Sequence, residues 1–301
     1  MEGDSGGGVS VIIPAYRAQF TIARAVSSLL AQSFPHWQAV VVSDDGADYR
    51  AVLEAAGIAD SRLTFTGTGR VGSGAPAARN AGLRCARMTL VAPLDADDRF
   101  EPERLARLAP LAQAQGAAAD NVAVVRDGDG APLSTLFPSG LFPSGLFPSG
   151  LFPSGTGTAT LDAATFLETS VPMFFVVRRD IVPGWEEGVD FCDDVVFNIQ
   201  VLDRVGRLPL VLEPLYEYRQ REGSITCSAD SGTRAELCYR HVLDRLAGDG
   251  LRIADAALRH RFAAALGAKR ALNAAYMAAH AAGRCANFQE FLALRENSRP
   301  G

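Results

Sequence analysis

Residues Val9–Gly46 read VSVIIPAYRAQFTIARAVSSLLAQSFPHWQAVVVSDDG, and this stretch decides the fold. Val9–Pro14 is a short β-branched run, and Ile22, Val26, Leu29 and Leu30 follow at helical spacing. Ala39–Ser43 then reads as a second buried strand. The alternation continues through Leu63–Thr66, an Ala-rich helix from Pro76 to Arg87, and Met88–Ala92. Glu101-Pro102-Glu103 opens a further helix, since Pro suits the first turn and acids suit its positive end. Val122–Val125 comes next. Nearly all-apolar strands alternating with helices predict an α/β fold with a mainly parallel central sheet flanked by helices. In such sheets ligands bind beyond the carboxyl ends of the strands. The polar groups just after each strand are therefore the site candidates.

Composition narrows the class. The 301 residues are 48% hydrophobic and 21% charged, which predicts one large domain, or one with an appendage, and excludes global disorder. Twenty-nine basic against 34 acidic residues give a net charge of −5, and no basic stripe offers a nucleic acid its phosphate contacts. Five scattered cysteines without a Cys-x-x-Cys pair suit reduced thiols in a cytoplasm. His36, His241, His260 and His280 share no metal-ligand spacing. Residues 1–8 are acidic and glycine-rich, a disordered tail rather than a secretory signal. No uncharged apolar run reaches the length of a transmembrane span, so the expectation is a soluble protein.

Residues 136–155 are four copies of Leu-Phe-Pro-Ser-Gly. Pro and Gly in every unit forbid a helix and break a strand, so the segment reads as turns in a tolerant loop. The competing reading is a flap whose Phe137, Phe142, Phe147 and Phe152 cover an acceptor or a membrane surface. Phe174–Val177 and Pro209–Leu212 read as further strands. From residue 233 to 301 the chain is Ala/Leu/Arg-rich, a helical C-terminal extension for packing, homodimer formation or partner docking.

The chemistry-bearing residues sit where the fold places ligands. Leu94-Asp95-Ala96-Asp97-Asp98 follows a strand, and its carboxylates repel one another unless a cation sits among them. In extended backbone an Asp-x-Asp spacing sets two side chains on one side, able to grip a hard divalent ion. The bland reading is a solvated acidic helix cap. The first strand ends in Pro14-Ala15-Tyr16 and the second in Asp44-Asp45, so Tyr16 and Asp45 offer a stacking face beside an acceptor, as a nucleobase requires. Asp45 taken alone reads as a turn residue. Gly67-Thr68-Gly69-Arg70-Val71-Gly72 spells a dinucleotide-binding fingerprint, but mid-chain and too early for its helix, and a flexible loop leading to Arg79-Asn80 is favoured. Asp193 and Asp194 open an amphipathic helix, either as partners of its dipole or as a general base.

These residues together resemble the inverting family 2 glycosyltransferases of the GT-A fold. The matching segments are residues 9–47, AARNAGLRCARMTLVAPLDADDRFEPERL at 77–105, WEEGVDFCDDVVFNIQ at 185–200 and LYEYRQREGSIT at 215–226. The resemblance implies a GT-A domain over 9–232. It implies that Tyr16 and Asp45, with Pro14 and Ala15, contact the nucleobase, and that Arg79 lies near the nucleotide. Asp95 and Asp97, flanking Ala96, match the Asp-x-Asp motif, with Asp97 as the ligand of Mn²⁺ or Mg²⁺. Asp193-Asp194 stands where the family has Glu-Asp, and Asp194 is taken as the base. Where many members carry a histidine this chain has Arg221, so Arg219 or Arg221 is expected to neutralise the diphosphate.

The implied reaction is sugar transfer from a nucleotide-diphosphate sugar, a UDP-sugar first, to a saccharide or lipid-linked acceptor, in the cytoplasm or at the inner face of a membrane. The rivals are a nucleotidyltransferase, which would want a basic Gly-rich loop at the first strand, a dinucleotide-dependent oxidoreductase resting on residues 67–72, and a non-catalytic nucleotide-sugar-binding or scaffold protein.

Overall fold

A computed structural model describes residues 7–137, 156–169, 172–189, 191–220, 230–248 and 250–297. The chain opens with β1 (Val9–Ala15), α1 (Ile22–Leu30), β2 (Trp37–Ser43), α2 (Tyr49–Ala55) and β3 (Leu63–Gly67). Then come α3 (Ala75–Cys85), β4 (Leu90–Pro93), β5 (Arg99–Phe100), α4 (Arg104–Gln115), β6 (Ala117–Arg126) and β7 (Pro132–Thr135). Next are β8 (Thr158–Asp162), α5 (Ala163–Thr169), β9 (Val176–Arg178), α6 (Asp193–Val205) and β10 (Arg207–Gln220). Helices α7 (Ser231–Ala247), α8 (Ala256–Ala281) and α9 (Phe288–Asn297) follow.

One sheet runs β3-β2-β1-β4-β9-β6-β10-β5. Its first four strands are parallel, with Val9 opposite both Trp37 and Leu90 and Ala39 opposite Leu63. The run of parallel neighbours stops there. β9 enters antiparallel between β4 and β6, and β5 and β8 pair antiparallel with β10. A short apolar run carries no mark of its direction. Val9, Val11, Ile12 and Ile13 of β1 are wholly buried, each worth about 1.5–3 kcal/mol against exposure. The chain moves from β1 outward to β3 and returns beside β1 as β4, so a crevice opens at the carboxyl ends of β1 and β4.

Helix α1 buries Ile22, Ala25, Val26 and Leu29, while Leu30, expected on the same stripe, turns to solvent. Arg104 of α4 is completely buried, paired with Asp120 at 2.8 Å and donating to the Phe174 carbonyl at 2.5 Å, which ties α4 to β6. The helices after residue 230 share the main core. Cys238, Tyr239, Val242, Leu258, Phe262 and Leu266 belong to the same apolar cluster as β1 and β2. Asp203, near the end of α6, accepts the N–H groups of Ala254 and Asp255 and so anchors the start of α8. Tyr276, Ala279, Cys285, Phe291 and Leu292 form a second, smaller cluster. Leu136 and Phe137, the start of the first repeat, are buried, with Asn121 bonded to both the N–H and the carbonyl of Phe137. Phe137 is thus a core residue rather than part of a flap; residues 138–155 and the tail at 1–6 lie outside the described residues. Among the described residues no helix is long and apolar enough to cross a membrane.

Helix α3 crosses β1 and β2 at Gly82, where an added Cβ would lie 2.5 Å from Ile12 Cγ2 and 3.0 Å from Val42 Cγ2. Gly82→Ala is therefore expected to destabilise the fold by about 1–3 kcal/mol through overpacking, despite the better helix propensity of Ala. Chemical denaturation checks this, and a midpoint equal to or above that of wild type would show that the helix can retreat.

Candidate active site

The carboxyl end of β2 supplies two carboxylates with different tasks. Asp44, which the sequence reading passed over, is buried and grips the loop after β3. Its carboxylate accepts from Thr68 Oγ1 at 2.8 Å, Ser73 N–H at 2.9 Å and Gly74 N–H at 2.9 Å, and its carbonyl takes the Gly72 N–H. The N–H groups of Ser73 and Gly74, just ahead of α3, are thereby spent on a protein carboxylate. A dinucleotide fingerprint needs them for pyrophosphate, so the Gly-x-Gly-x-x-Gly match is a loop held by Asp44.

Asp45 accepts from Arg17 N–H at 2.7 Å and Tyr49 OH at 2.9 Å, with Ala47 N–H, Ser43 Oγ and the Gln19 amide completing its shell. Burial pushes this carboxyl up, but the bonds outweigh it and hold it below the usual range. The same bond from its N–H secures Arg17 in a left-handed conformation (φ 52°), and the Arg17 guanidinium lies over the ring of half-exposed Tyr16. Tyr16 and Asp45 therefore adjoin at one rim, beside Pro14 and Ala15 of β1. A carboxylate offers about four lone-pair directions. A nucleobase N–H would have to replace the longest of the bonds, that from Gln19 at 3.3 Å.

The Asp-x-Asp segment is a turn rather than the extended strand end expected, because Asp98 N–H donates to the Asp95 carbonyl at 3.0 Å; Ala96 packs inward and Asp97 is left partly exposed. Asp98 points inward and is buried, accepting from Tyr216 OH and from Arg219 N–H, both at 2.8 Å. Burial, reinforced by Asp97 and Asp95, raises Asp98 far above the normal carboxylate range. The Tyr216 hydroxyl also accepts from Asp95 N–H at 3.2 Å, and its ring stacks on Phe174 at 4.0 Å. Asp98 and Tyr216 are thus the scaffold that shapes the turn, leaving Asp95 and Asp97 partly exposed at its mouth. The backbone carbonyl of Asp97 is fixed by Arg24, which also pairs with Asp127.

Arg79 joins the two acidic stretches. Projecting from α3 and almost fully buried, it donates one nitrogen to Asp95 at 2.5 Å and another to Asp193. Burial opposes its charge, but Asp95, Asp193 and Asp194 outweigh that cost and hold it firmly cationic. The adjacent Asn80 clamps the loop leading to α6: its amide donates to the Trp185 carbonyl at 2.8 Å and to Glu187 at 2.9 Å, and its oxygen accepts the Trp185 N–H. Trp185 in turn stacks on Phe197 of α6 at 4.4 Å. Asp193 and Asp194 occupy the first turn of α6, where the helix dipole favours them. Burial, then repulsion from Asp193, pushes Asp194 up to about 7, against the pull of Val195 N–H and Arg79.

Arg219 lies inside the sheet edge, ion-paired with Glu217 and with Asp127 at 3.2 Å. Its charge is already matched, so the diphosphate role expected of it would require breaking both pairs. Arg221 falls outside the described residues. Asp44, Asn80, Asp98 and Tyr216 were the functional supports missed; of these only Asp44 and Asp98 announced themselves, as acids after strands. Among the described residues no three His, Cys, Asp or Glu side chains form a ready-made metal cage.

Residues 10–162 match glycosyl transferase family 2. The succinoglycan biosynthesis protein ExoO of Rhizobium meliloti is 42% identical over 119 residues, 39% of this chain and 34% of that protein. The UDP-Glc:alpha-D-GlcNAc-diphosphoundecaprenol beta-1,3-glucosyltransferase WfgD of Escherichia coli is 37% identical over 99 residues, 32% of this chain and 38% of that protein. The chain thus spans little more than a third of the length of these curated relatives. In three dimensions, S. aureus TarS 1-349 in complex with UDP-GlcNAc aligns with a TM-score of 0.55 at 17% identity, over 87% of this chain and 80% of that one. The mannosyltransferase PcManGT from Pyrobaculum calidifontis, in complex with GDP-Man and Mn²⁺, gives 0.53 at 18%, over 96% and 79%. The fold is therefore that of these GT-A enzymes, and the chain belongs to glycosyl transferase family 2.

Proposed function

We propose that the protein is a metal-dependent inverting glycosyltransferase. It moves a sugar from a nucleotide-diphosphate sugar, with UDP the favoured nucleotide, to a hydroxyl of a saccharide or lipid-linked acceptor in polysaccharide or glycoconjugate synthesis. A lipid-linked acceptor would bring it from the cytoplasm to the inner face of the membrane. The observation that carries the reading is the Asp95–Arg79–Asp193 bridge, which sets the turn bearing Asp97 beside the helix start bearing Asp194. The names of the relatives, with UDP-Glc and UDP-GlcNAc among the donors, agree with it.

The site is rich in carboxylate, so a diphosphate can settle there only with its charge compensated. Mg²⁺ or Mn²⁺ needs one or two protein carboxylates and fills its shell with diphosphate oxygens and water, which the half-exposed Asp97 and Asp95 suit and the buried Asp98 does not. Asp97, with Asp95 beside it, would hold that cation, whose chemistry is to offset the charge of the departing nucleoside diphosphate. Tyr16 stacks on the base while Asp45 accepts its N–H. Asp194 takes the proton of the acceptor hydroxyl. The acceptor oxygen bonds to the anomeric carbon as the bond to the diphosphate breaks on the opposite face, which inverts the centre. A base with an affinity for protons near neutrality is matched to that task.

Asp97→Ala is expected to abolish transfer and metal-dependent donor binding. Asp194→Asn should retain donor binding by calorimetry and lose about 10²–10⁴-fold in turnover. Turnover of a panel of nucleotide sugars with Mn²⁺ reads both, and an active Asp194→Asn enzyme would remove this residue as the base.

A second expectation concerns stability. The folded Asp194 keeps its proton up to about 7, whereas in the unfolded chain it releases it near 3.8, so the native state binds more protons in that window. The contribution of Asp194 therefore turns increasingly unfavourable as pH rises through the window. Asp194→Asn should melt above wild type by a few degrees at about pH 8, and the gap should close near pH 4. Paired thermal melts across that range test the sign.

A further inference from the structure

Asp127 is an acid set just after a strand, as Asp45 and Asp95 are, and the proposed reaction gives it no task. β9 runs antiparallel to both β4 and β6, and β6 runs parallel to β10, so β4, β6 and β10 end at the same edge of the sheet. The turn bearing Asp97 leaves β4 there, Asp127 follows β6, and Arg219 is the penultimate residue of β10. A charged side chain at that edge stands where ligands gather in such sheets.

Three bonds tie Asp127 to β10. Its N–H donates to the Gln220 carbonyl at 3.0 Å, its carbonyl accepts from Arg219 Nη2 at 2.9 Å, and its Oδ1 accepts from Arg219 Nε at 3.2 Å. The same Oδ1 accepts from Nη2 of Arg24, on α1, at 2.8 Å. That one nitrogen of Arg24 also donates to the Asp97 carbonyl at 2.7 Å. The N–H of Arg219 in turn donates to the Asp98 carboxylate at 2.8 Å. Arg24 thus grips the carbonyl of Asp97 and Arg219 the side chain of Asp98, and Asp127 is the link that closes the ring between the two arginines. Among the described residues Asp127 is the ion-pair partner of Arg24, whose Nε is buried without a bond. Arg219 has Glu217 as well. Without the Asp127 carboxylate, Arg24 would lose the charge that aims it at the Asp97 carbonyl, and a half-buried cation would stand unmatched.

We propose that Asp127 is a positioning residue of the active site: through Arg24 and Arg219 it fixes the Asp97–Asp98 peptide, so that the Asp97 carboxylate is presented to a divalent cation in one orientation. The proposal rests on Asp97 being the metal ligand. It also gives Arg219 a task other than binding diphosphate. A group that aims a ligand without touching the ion governs affinity for that ion by about 10–100-fold.

Hydrogen exchange on the metal-free full chain tests the link directly. In Asp127→Ala, and independently in Arg24→Met, the amides of residues 94–98 should exchange severalfold faster than in wild type, while those of β1 and β2 keep their rates. Unchanged exchange over 94–98 in both variants overturns the proposal without reference to any enzymatic assay. A second measurement separates positioning from packing. Titration of Mn²⁺ into protein with UDP, read by loss of the free-ion EPR signal, should show affinity weakened about tenfold in each variant. Both residues act through one carbonyl, so the double variant should bind Mn²⁺ about as weakly as either single one. Independent packing effects would instead multiply to about a hundredfold. That multiplication, or wild-type Mn²⁺ affinity in Asp127→Ala, overturns the positioning role. Should wild type itself bind no Mn²⁺, the metal-dependent reading falls, while the exchange rates still decide whether Asp127 holds the turn.

Discussion

A single guanidinium holds the two halves of the site together. Arg79 is buried between Asp95, 16 residues ahead, and Asp193, 114 residues ahead, and no other described ion pair bridges the turn after β4 to the start of α6. Its reach depends on backbone placed by packing. Gly82 lets α3 lie close against β1 and β2, Asp44 fixes where α3 starts, and Asn80 clamps the loop that leads to α6. Each of these contacts is local and inexpensive. Together they bring to one cleft mouth acids that would otherwise repel, because a buried cation is worth its desolvation only when its partners are held in good geometry.

The carboxylates gathered there share one chemistry and differ only in surroundings. Asp45 is held ionised by a shell of donors. Asp98, enclosed with Tyr216 and facing two like charges, is driven toward its neutral form and acts as a structural group. Asp95 and Asp193 are matched by Arg79, and Asp194 is left near neutrality. Environments that push the proton affinities of neighbouring acids apart suit them to different tasks.

Much of this is legible in the amino-acid sequence. Strand runs such as VSVII and AVVV are apolar enough to be buried on both faces, and the rule that ligands gather at strand ends pointed to Tyr16, Asp45 and Asp95–Asp98. What escaped was non-local. The antiparallel entry of β9 depends on which strands are left to pair, not on its own residues. The turn at Ala96-Asp97 depends on Asp98 finding Tyr216, 118 residues later. The burial of Phe137 depends on Asn121, and no repeat pattern reveals that its first copy starts inside the core. The merging of α7 and α8 with that core was hidden because an Ala/Leu/Arg-rich helix reads alike whether it docks on its own domain or elsewhere.

The acidic start of α6 is sustained by what surrounds each carboxylate. Two adjacent carboxylates at a helix N-terminus gain from the dipole only a fraction of what their mutual repulsion and desolvation cost. Arg79 answers for Asp193 and is shared with Asp95. Asp194 is answered instead by its own proton: burial and Asp193 push it up to about 7, so that near neutrality the protonated form relieves the repulsion at the helix start.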